Sequence, residues 1–168
     1  MCKLVIDTGA LARNLEKLRH YTSARIIAVV KGGGYGLGLV PYARWLTAQG
    51  VDMLAVSSVT EAAALRDAGI TADVLMLAST ALPEEVSALL ARNVILTVGS
   101  LEAARTVSAV AEEQGVTARV HIKLDTGMGR CGFLPGEVRE AAALLRFLPA
   151  LRVEGVFTHF AEAADRKR

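Results

Sequence analysis

Lys31 follows an apolar run and precedes a glycine-dense turn, a combination that could support nucleophilic chemistry. The run is Ile26-Ile27-Ala28-Val29-Val30, and the turn is Gly32-Gly33-Gly34-Tyr35-Gly36-Leu37-Gly38. At the end of a buried parallel strand, loss of hydration favours the neutral, nucleophilic form of an amine. Tyr35, in the same turn, could donate its hydroxyl to an anion that neighbouring backbone amides also hold. The alternative is a lysine that ends a strand and extends its charged head into water.

A second polar segment reads His121-Ile122-Lys123-Leu124-Asp125-Thr126-Gly127-Met128-Gly129-Arg130. The glycines on either side of Met128 permit unusual backbone conformations and close approach of a ligand. Arg130 carries a planar cation suited to a carboxylate, a phosphate or an oxyanion, although a surface ion pair is the alternative. Lys123, inside a predicted strand, must face an open end of the fold or lose its charge. Carbamylation by carbon dioxide would convert it into an anion able to hold Arg130.

The remaining histidines and cysteines give weaker signals. His159 follows an apolar run and could orient a partner at the mouth of the fold, although a lone histidine is equally often structural. His121, at the start of its strand, is predicted to lie at the opposite end and to be structural. Cys2 and Cys131 form no CxxC pair, so no metal site is expected.

Short β-type runs alternate with longer helical stretches along the chain. We predict strands near 25–31, 52–57, 73–78, 93–97, 118–124 and 152–158. Helices are predicted near 9–20, 39–49, 59–68, 83–91, 100–114 and 136–147. The residues that mark helix ends are Ser58 with Glu61 in capping-box spacing, Gly69, Pro83, Ser100, Gly115 and Pro135. This alternation indicates a parallel sheet covered by helices.

Two architectures could arrange such a sheet. A doubly wound sheet often carries GxGxxG in its first turn, whereas residues 34–38 read GxGxG. A β/α barrel places its chemistry at the carboxyl ends of several strands. The polar residues at the ends of the first, fifth and sixth predicted strands are Lys31, Lys123, Asp125, Thr158 and His159. We therefore predict an α/β fold with a parallel β/α barrel. Since a complete barrel needs about 250 residues and the chain has 168, about six of the eight βα units are expected.

The composition argues against several classes of protein. Hydrophobic residues make up 52% of the chain, but the apolar runs are far shorter than a membrane-spanning helix requires. The net charge of +2 and its scattered Lys and Arg residues do not suggest a nucleic-acid surface. The N-terminus has no export-signal pattern, so a cytoplasmic location is expected.

Taken together, these motifs resemble alanine racemase. The resemblance rests on residues 28–38, 123–130 and 157–160, with support from residues 6–8 and 61–69. It covers nearly the whole chain, with the motifs in the right order. It implies that residues 1–168 form a partial N-terminal barrel domain that binds pyridoxal phosphate, that the C-terminal β domain is absent, and that the family assembles as a head-to-tail homodimer.

The resemblance also implies an activity, the interconversion of L-alanine and D-alanine that supplies D-alanine for cell-wall peptidoglycan. Lys31 would hold the cofactor and exchange the proton on the D-face of alanine, and Tyr35 would contact the phosphate. Arg130 would lie beside the cofactor's phenolic oxygen and the substrate carboxylate, with a carbamylated Lys123 steadying it. His159 would support the arginine that faces the pyridine nitrogen. The opposite-face tyrosine of the family belongs to the partner's C-terminal domain, so the 168-residue chain alone is expected to racemise alanine poorly or not at all.

The chain departs from the family in its lysine loop, which elsewhere reads roughly Lys-Ala-Asn-Ala-Tyr-Gly-His-Gly. Here three glycines follow Lys31, and Leu37 replaces the histidine. Consecutive glycines raise the entropic cost of ordering the loop. Three alternatives remain open: a non-catalytic pyridoxal-phosphate homeostasis protein with the same barrel, a racemase for serine, lysine or ornithine, and an unliganded α/β fragment.

Overall fold

Six parallel strands form one sheet and follow each other in the order in which they occur in the chain. The structure, a computed structural model, describes residues 3–163; Cys2 and residues 166–168 lie outside the described residues. The strands are β1 (Ile27–Val29), β2 (Met53–Val56), β3 (Asp73–Ser79), β4 (Ile95–Val98), β5 (Ala118–Leu124) and β6 (Leu151–Thr158). Each strand pairs in parallel with the next, with no reversal of strand order. A doubly wound sheet requires such a reversal, so the arrangement is that of a partial β/α barrel.

Helices occur at the six predicted places, and one further short segment, at Lys31–Tyr35, was not predicted. They are α1 (Thr8–Tyr21), α2 (Lys31–Tyr35), α3 (Leu39–Ala48), α4 (Val59–Asp67), α5 (Pro83–Leu90), α6 (Leu101–Glu113) and α7 (Val138–Leu145), the last preceded by a 3₁₀ turn at Pro135–Glu137. Ser58 and Ser100 cap α4 and α6 through hydrogen bonds from the backbone of Glu61 (3.2 Å) and Ala103 (3.1 Å). The carboxylate of Glu61 does not return to Ser58 as a capping box requires, but bonds to neighbouring loops.

The two faces of the sheet bury different sets of apolar residues, because side chains alternate along each strand. The outer face packs against the helices through fully buried residues such as Leu54, Val74 and Val120. The inner face holds a small buried layer of Ala55, Leu75 and Ile95. Towards the carboxyl ends of the strands this inner layer gives way to polar side chains, where the candidate chemistry lies.

The turn that carries Lys31 differs from the prediction. β1 ends at Val29, so Lys31 does not end the strand but begins the short segment α2. Within it, Gly32, Gly33 and Gly34 have φ values of 62°, 64° and 68°, and Tyr35 follows at 54°. These are left-handed helical values, which glycine adopts readily and other residues seldom adopt. The three glycines therefore permit a left-handed turn directly after the lysine.

Arg119 links three strands at the amino-terminal end of the inner face. Its guanidinium donates to both carboxylate oxygens of Asp73 on β3, at 2.7 and 2.8 Å, and to Glu154 on β6 at 3.0 Å. The Arg119 side chain is 20% exposed. Hydrogen bonds from Arg119 lower the pKa of both Asp73 and Glu154. The bidentate pair of Arg119 with Asp73 connects β5 to β3, which are not neighbours in the sheet.

We expect Arg119→Met to destabilise the protein by about 1–3 kcal/mol at pH 7, since it leaves two partly buried carboxylates without their cation. Carboxyl groups whose pKa values are lower in the folded state contribute stability above their unfolded pKa values of about 4, and lose it as the pH falls through the lowered values. The variant should therefore lose less stability than the wild type between pH 5 and pH 3. Urea unfolding across this range measures the difference. Arg105→Met, an exposed change on α6, is the control, and an equal loss in both variants would contradict the role of Arg119.

Candidate functional site

A cavity of about 500 Å³ opens on the inner face of the sheet, lined by residues of β1, β2, β3, β5 and β6 and of the loops at their carboxyl ends. All five residues proposed from the sequence line this cavity: Lys31, Tyr35, Lys123, Arg130 and His159. A more open cleft of about 560 Å³ lies near the amino-terminal ends of β2 and β3, and its lining is mainly small and apolar residues from 44–52 and 68–72. Of these two cavities in the described part of the chain, the first joins an amine, a guanidinium, a phenol and an imidazole.

The turn after Lys31 supplies two side chains to the cavity. Lys31 is half-buried, whereas Tyr35 is 65% exposed. The backbone amides around them bond within the turn: Gly34 donates to Val30 at 2.8 Å, and Gly38 donates to Gly33 at 2.9 Å. These two amides therefore already have acceptors within the turn, and the expectation that neighbouring amides hold an anion together with Tyr35 remains a prediction.

The loop that carries Arg130 is organised around the carboxylate of Asp125. One oxygen accepts from the backbone of Gly127 and Gly129, both at 3.0 Å, and the other accepts from the backbone of Arg130 at 2.9 Å. The amides of Gly129 and Gly127 contribute most to lowering the pKa of Asp125. A charged acceptor makes each of these hydrogen bonds stronger than a neutral pair would be. Asp125 thus sets the backbone position from which Arg130 reaches the cavity.

The far end of this loop, at Phe133, is held to the end of β5 by backbone hydrogen bonds. The amide of Asp125 donates to Phe133 and that of Phe133 donates to Lys123, both at 2.9 Å, while the Phe133 ring is buried. Gly132, with φ of 120°, lies so near that an added Cβ would meet the Asp125 nitrogen at 2.8 Å. No larger residue fits here without moving the loop.

Lys123 is a buried member of the cavity lining. The residue is 4% exposed, and its Nζ lies 4.8 Å from the centre of the Phe157 ring. Phe157 is the register partner of Lys123 on β6. A cation–π contact of this kind partly compensates the lost hydration of the amine.

His159 lies just beyond β6 and is exposed at the edge of the cavity. The hydroxyl of the preceding Thr158 donates to the carbonyl of Leu124 at 2.9 Å and is 2.7 Å from the hydroxyl of Thr126. These contacts join the ends of β5 and β6, and so place His159 on the same rim as the loop of Arg130.

His121 was predicted to lie at the opposite end of the fold, but it lies between the two ends and also lines a cleft beside Arg119 and Glu154. It lines the cavity together with Lys123, because the two residues are separated by one position and share the inner face of β5. Burial lowers the pKa of His121 and so favours its neutral form. On β6, Gly155 leaves room for the imidazole, since an added Cβ would lie 2.8 Å from its Cε1. The sequence did carry a signal for this position: Arg119, His121 and Lys123 alternate along β5, which places them on one face of the strand.

Metal and membrane features were searched over the described part of the chain. Within residues 3–163, no group of three or more His, Cys, Asp or Glu side chains is arranged to hold a metal ion. No helix among these residues combines the length and the apolar character that crossing a bilayer demands.

Comparisons with known proteins give one consistent result. The sequence model of the family described as alanine racemase, N-terminal domain, matches residues 6–168. The alanine racemase of Methanococcus maripaludis is 40% identical over 161 residues, which is 94% of this chain and 43% of that protein. The structure of alanine racemase from the D-cycloserine producer Streptomyces lavendulae is similar with a TM-score of 0.86 at 32% identity, over 97% of this chain and 44% of the other.

A further similar structure is that of the Clostridium difficile 630 alanine racemase in complex with cycloserine. Its TM-score is 0.82 at 36% identity, over 89% of this chain and 42% of the other. The chain therefore spans less than half the length of the relatives it matches.

Proposed function

Because the chain belongs to the family of alanine racemase N-terminal domains, we propose that it is the cofactor-binding part of a pyridoxal-phosphate enzyme that interconverts L-alanine and D-alanine. The observation that carries this proposal is a single cavity lined by five candidate residues: Lys31, Tyr35, Lys123, Arg130 and His159. The complex of the Clostridium difficile relative with cycloserine supports a small-molecule ligand for this family. A cytoplasmic location and a head-to-tail homodimer are part of the same proposal.

The residues around the cavity fit pyridoxal phosphate. Lys31 offers an amine for its aldehyde, while Tyr35 and Arg130 offer donors for its anionic groups. Leu77 and Phe157 provide apolar walls for an aromatic ring. When bound, this cofactor withdraws electrons from the α-carbon of an attached amino acid and makes the proton there acidic.

In this proposal the same side chains also act on the substrate. The amine of Lys31 takes a proton from the α-carbon of alanine on the D-face and returns it there. The guanidinium of Arg130 binds the substrate carboxylate. Lys123, carbamylated, supplies an anion that orients Arg130, and His159 supports a cationic partner at the pyridine nitrogen.

We expect the isolated chain, loaded with pyridoxal phosphate, to exchange the α-proton of D-alanine with solvent deuterium about a hundredfold faster than the free cofactor does. Configuration should be retained, with little exchange of L-alanine, since Lys31 acts on one face and the second proton-transfer group is assigned to a tyrosine outside this sequence. NMR follows the exchange, and chiral chromatography follows racemisation.

Two outcomes would contradict this assignment. Exchange no faster than that of free pyridoxal phosphate would favour the non-catalytic binding protein. Robust formation of L-alanine from D-alanine by the 168-residue chain would show that the second group lies within it. Lys31→Ala, assayed in parallel, separates the contribution of Lys31 from that of the cofactor alone.

A further inference from the structure

Glu61 connects the turn that follows Lys31 to the end of strand β2. Its carboxylate lies in the first turn of α4, where Oε1 accepts from the backbone of Gly32 at 2.6 Å and approaches that of Gly33 at 3.4 Å. The other oxygen accepts from the backbone of Ser57 at 3.0 Å. One carboxylate therefore spans two loops, and both Lys31 and Ser57 line the cavity.

Few neighbouring atoms pack against the first two glycines of this turn. A Cβ built on Gly32 or Gly33 would meet no atom within 4 Å. Glycine adopts left-handed and right-handed conformations with similar ease, so the segment itself does not select a handedness. A hydrogen-bond acceptor fixed on another element can make that selection, because it fits the amides in one of the two arrangements.

Glu61 has the charge that this anchoring needs. Burial alone would raise its pKa, but hydrogen bonds from the backbone of Ser57, Gly33 and Gly32 outweigh that effect and lower it. The group is therefore a carboxylate at neutral pH. Charge-assisted hydrogen bonds to it are stronger than bonds to a neutral acceptor.

We propose that Glu61 is the positioning residue for Lys31: its carboxylate selects and holds the left-handed turn that directs the Lys31 amine into the cavity. Glu61 itself does not line the cavity, so it acts through the backbone and not on the ligand. The inference rests on the proposed function for its catalytic consequence. The anchoring of Gly32 is independent of that function.

The test compares Glu61→Gln with Glu102→Gln. A glutamine can accept on one side only and presents an amide N–H group to the other, so it cannot satisfy both Gly32 and Ser57. Glu102 lies in the first turn of α6 and is exposed, so its replacement controls for loss of a charge at a helix N-terminus. We expect the rate at which pyridoxal phosphate forms a borohydride-reducible adduct on Lys31 to fall about tenfold in Glu61→Gln and to stay unchanged in the control.

A second readout does not depend on the cofactor. In the wild type, the NMR shift of the Gly32 amide proton should titrate below the ordinary pKa of a glutamate, and this titration should vanish in Glu61→Gln while circular dichroism shows both variants folded. If Gly32 does not titrate in the wild type, or if the Glu61 and Glu102 variants form the adduct equally fast, the inference is overturned. If the wild type forms no adduct while Gly32 titrates as expected, the proposed function fails and the anchoring by Glu61 stands.

Discussion

Lys31→Ala is expected to abolish the borohydride-reducible adduct that pyridoxal phosphate forms in the cavity. Borohydride fixes the condensation product of an amine and an aldehyde as a stable secondary amine, and peptide mapping then locates it. The other cavity lysine, Lys123, is 4% exposed and lies against the ring of Phe157. Lys31 is thus the amine with access to the aldehyde, and the loss should be complete and not partial.

The matched control for this experiment is Lys17→Ala. Lys17 is an exposed residue of α1, so its removal subtracts one surface amine without touching the cavity. The control should retain the adduct on the peptide that contains residue 31. An undiminished adduct in Lys31→Ala, whether on Lys123 or spread over surface lysines, would contradict the assignment of Lys31 and with it the proposed cofactor site.

The sheet could be predicted from the sequence because its strands have strong local signals. β5 was predicted at 118–124 and runs from Ala118 to Leu124. Its apolar residues alternate with long polar ones, as in a strand, and Gly115 marks the end of the preceding helix. The alternation of such strands with helices indicates a parallel sheet. The meeting of Lys31 and Arg130 at one cavity followed from the same topology, since each lies beyond the carboxyl end of a strand.

The local conformation around Lys31 could not be predicted in the same way. Glycine has no preference of hand, so the turn at Gly32 depends on a carboxylate that lies 29 residues further along the chain. The spacing of Ser58 and Glu61 matched a capping box, but the side chain of Glu61 found amides of another loop. The position of His121 between the two ends of the sheet depends on where β5 begins relative to its neighbouring strands. This register is set by tertiary pairing.

Asp125→Ala is expected to release the loop that carries Arg130. Three backbone amides lose their common acceptor at once, those of Gly127, Gly129 and Arg130. We expect hydrogen exchange at these amides to accelerate at least about tenfold, and the affinity for pyridoxal phosphate to fall by a similar factor because the guanidinium of Arg130 is no longer held at the rim. NMR-detected exchange and a cofactor titration measure the two effects.

Asp125→Asn separates the contacts within this loop. An asparagine oxygen can still accept from Gly127 and Gly129, whereas its amide group would face the backbone N–H of Arg130 and could not accept from it. Exchange should therefore accelerate mainly at Arg130, and the cofactor affinity should lie between those of the wild type and Asp125→Ala. Asp67→Ala, at the exposed end of α4, controls for the loss of a negative charge. If all three variants bound the cofactor equally well, the Arg130 loop would have no part in binding, whatever its hydrogen bonds.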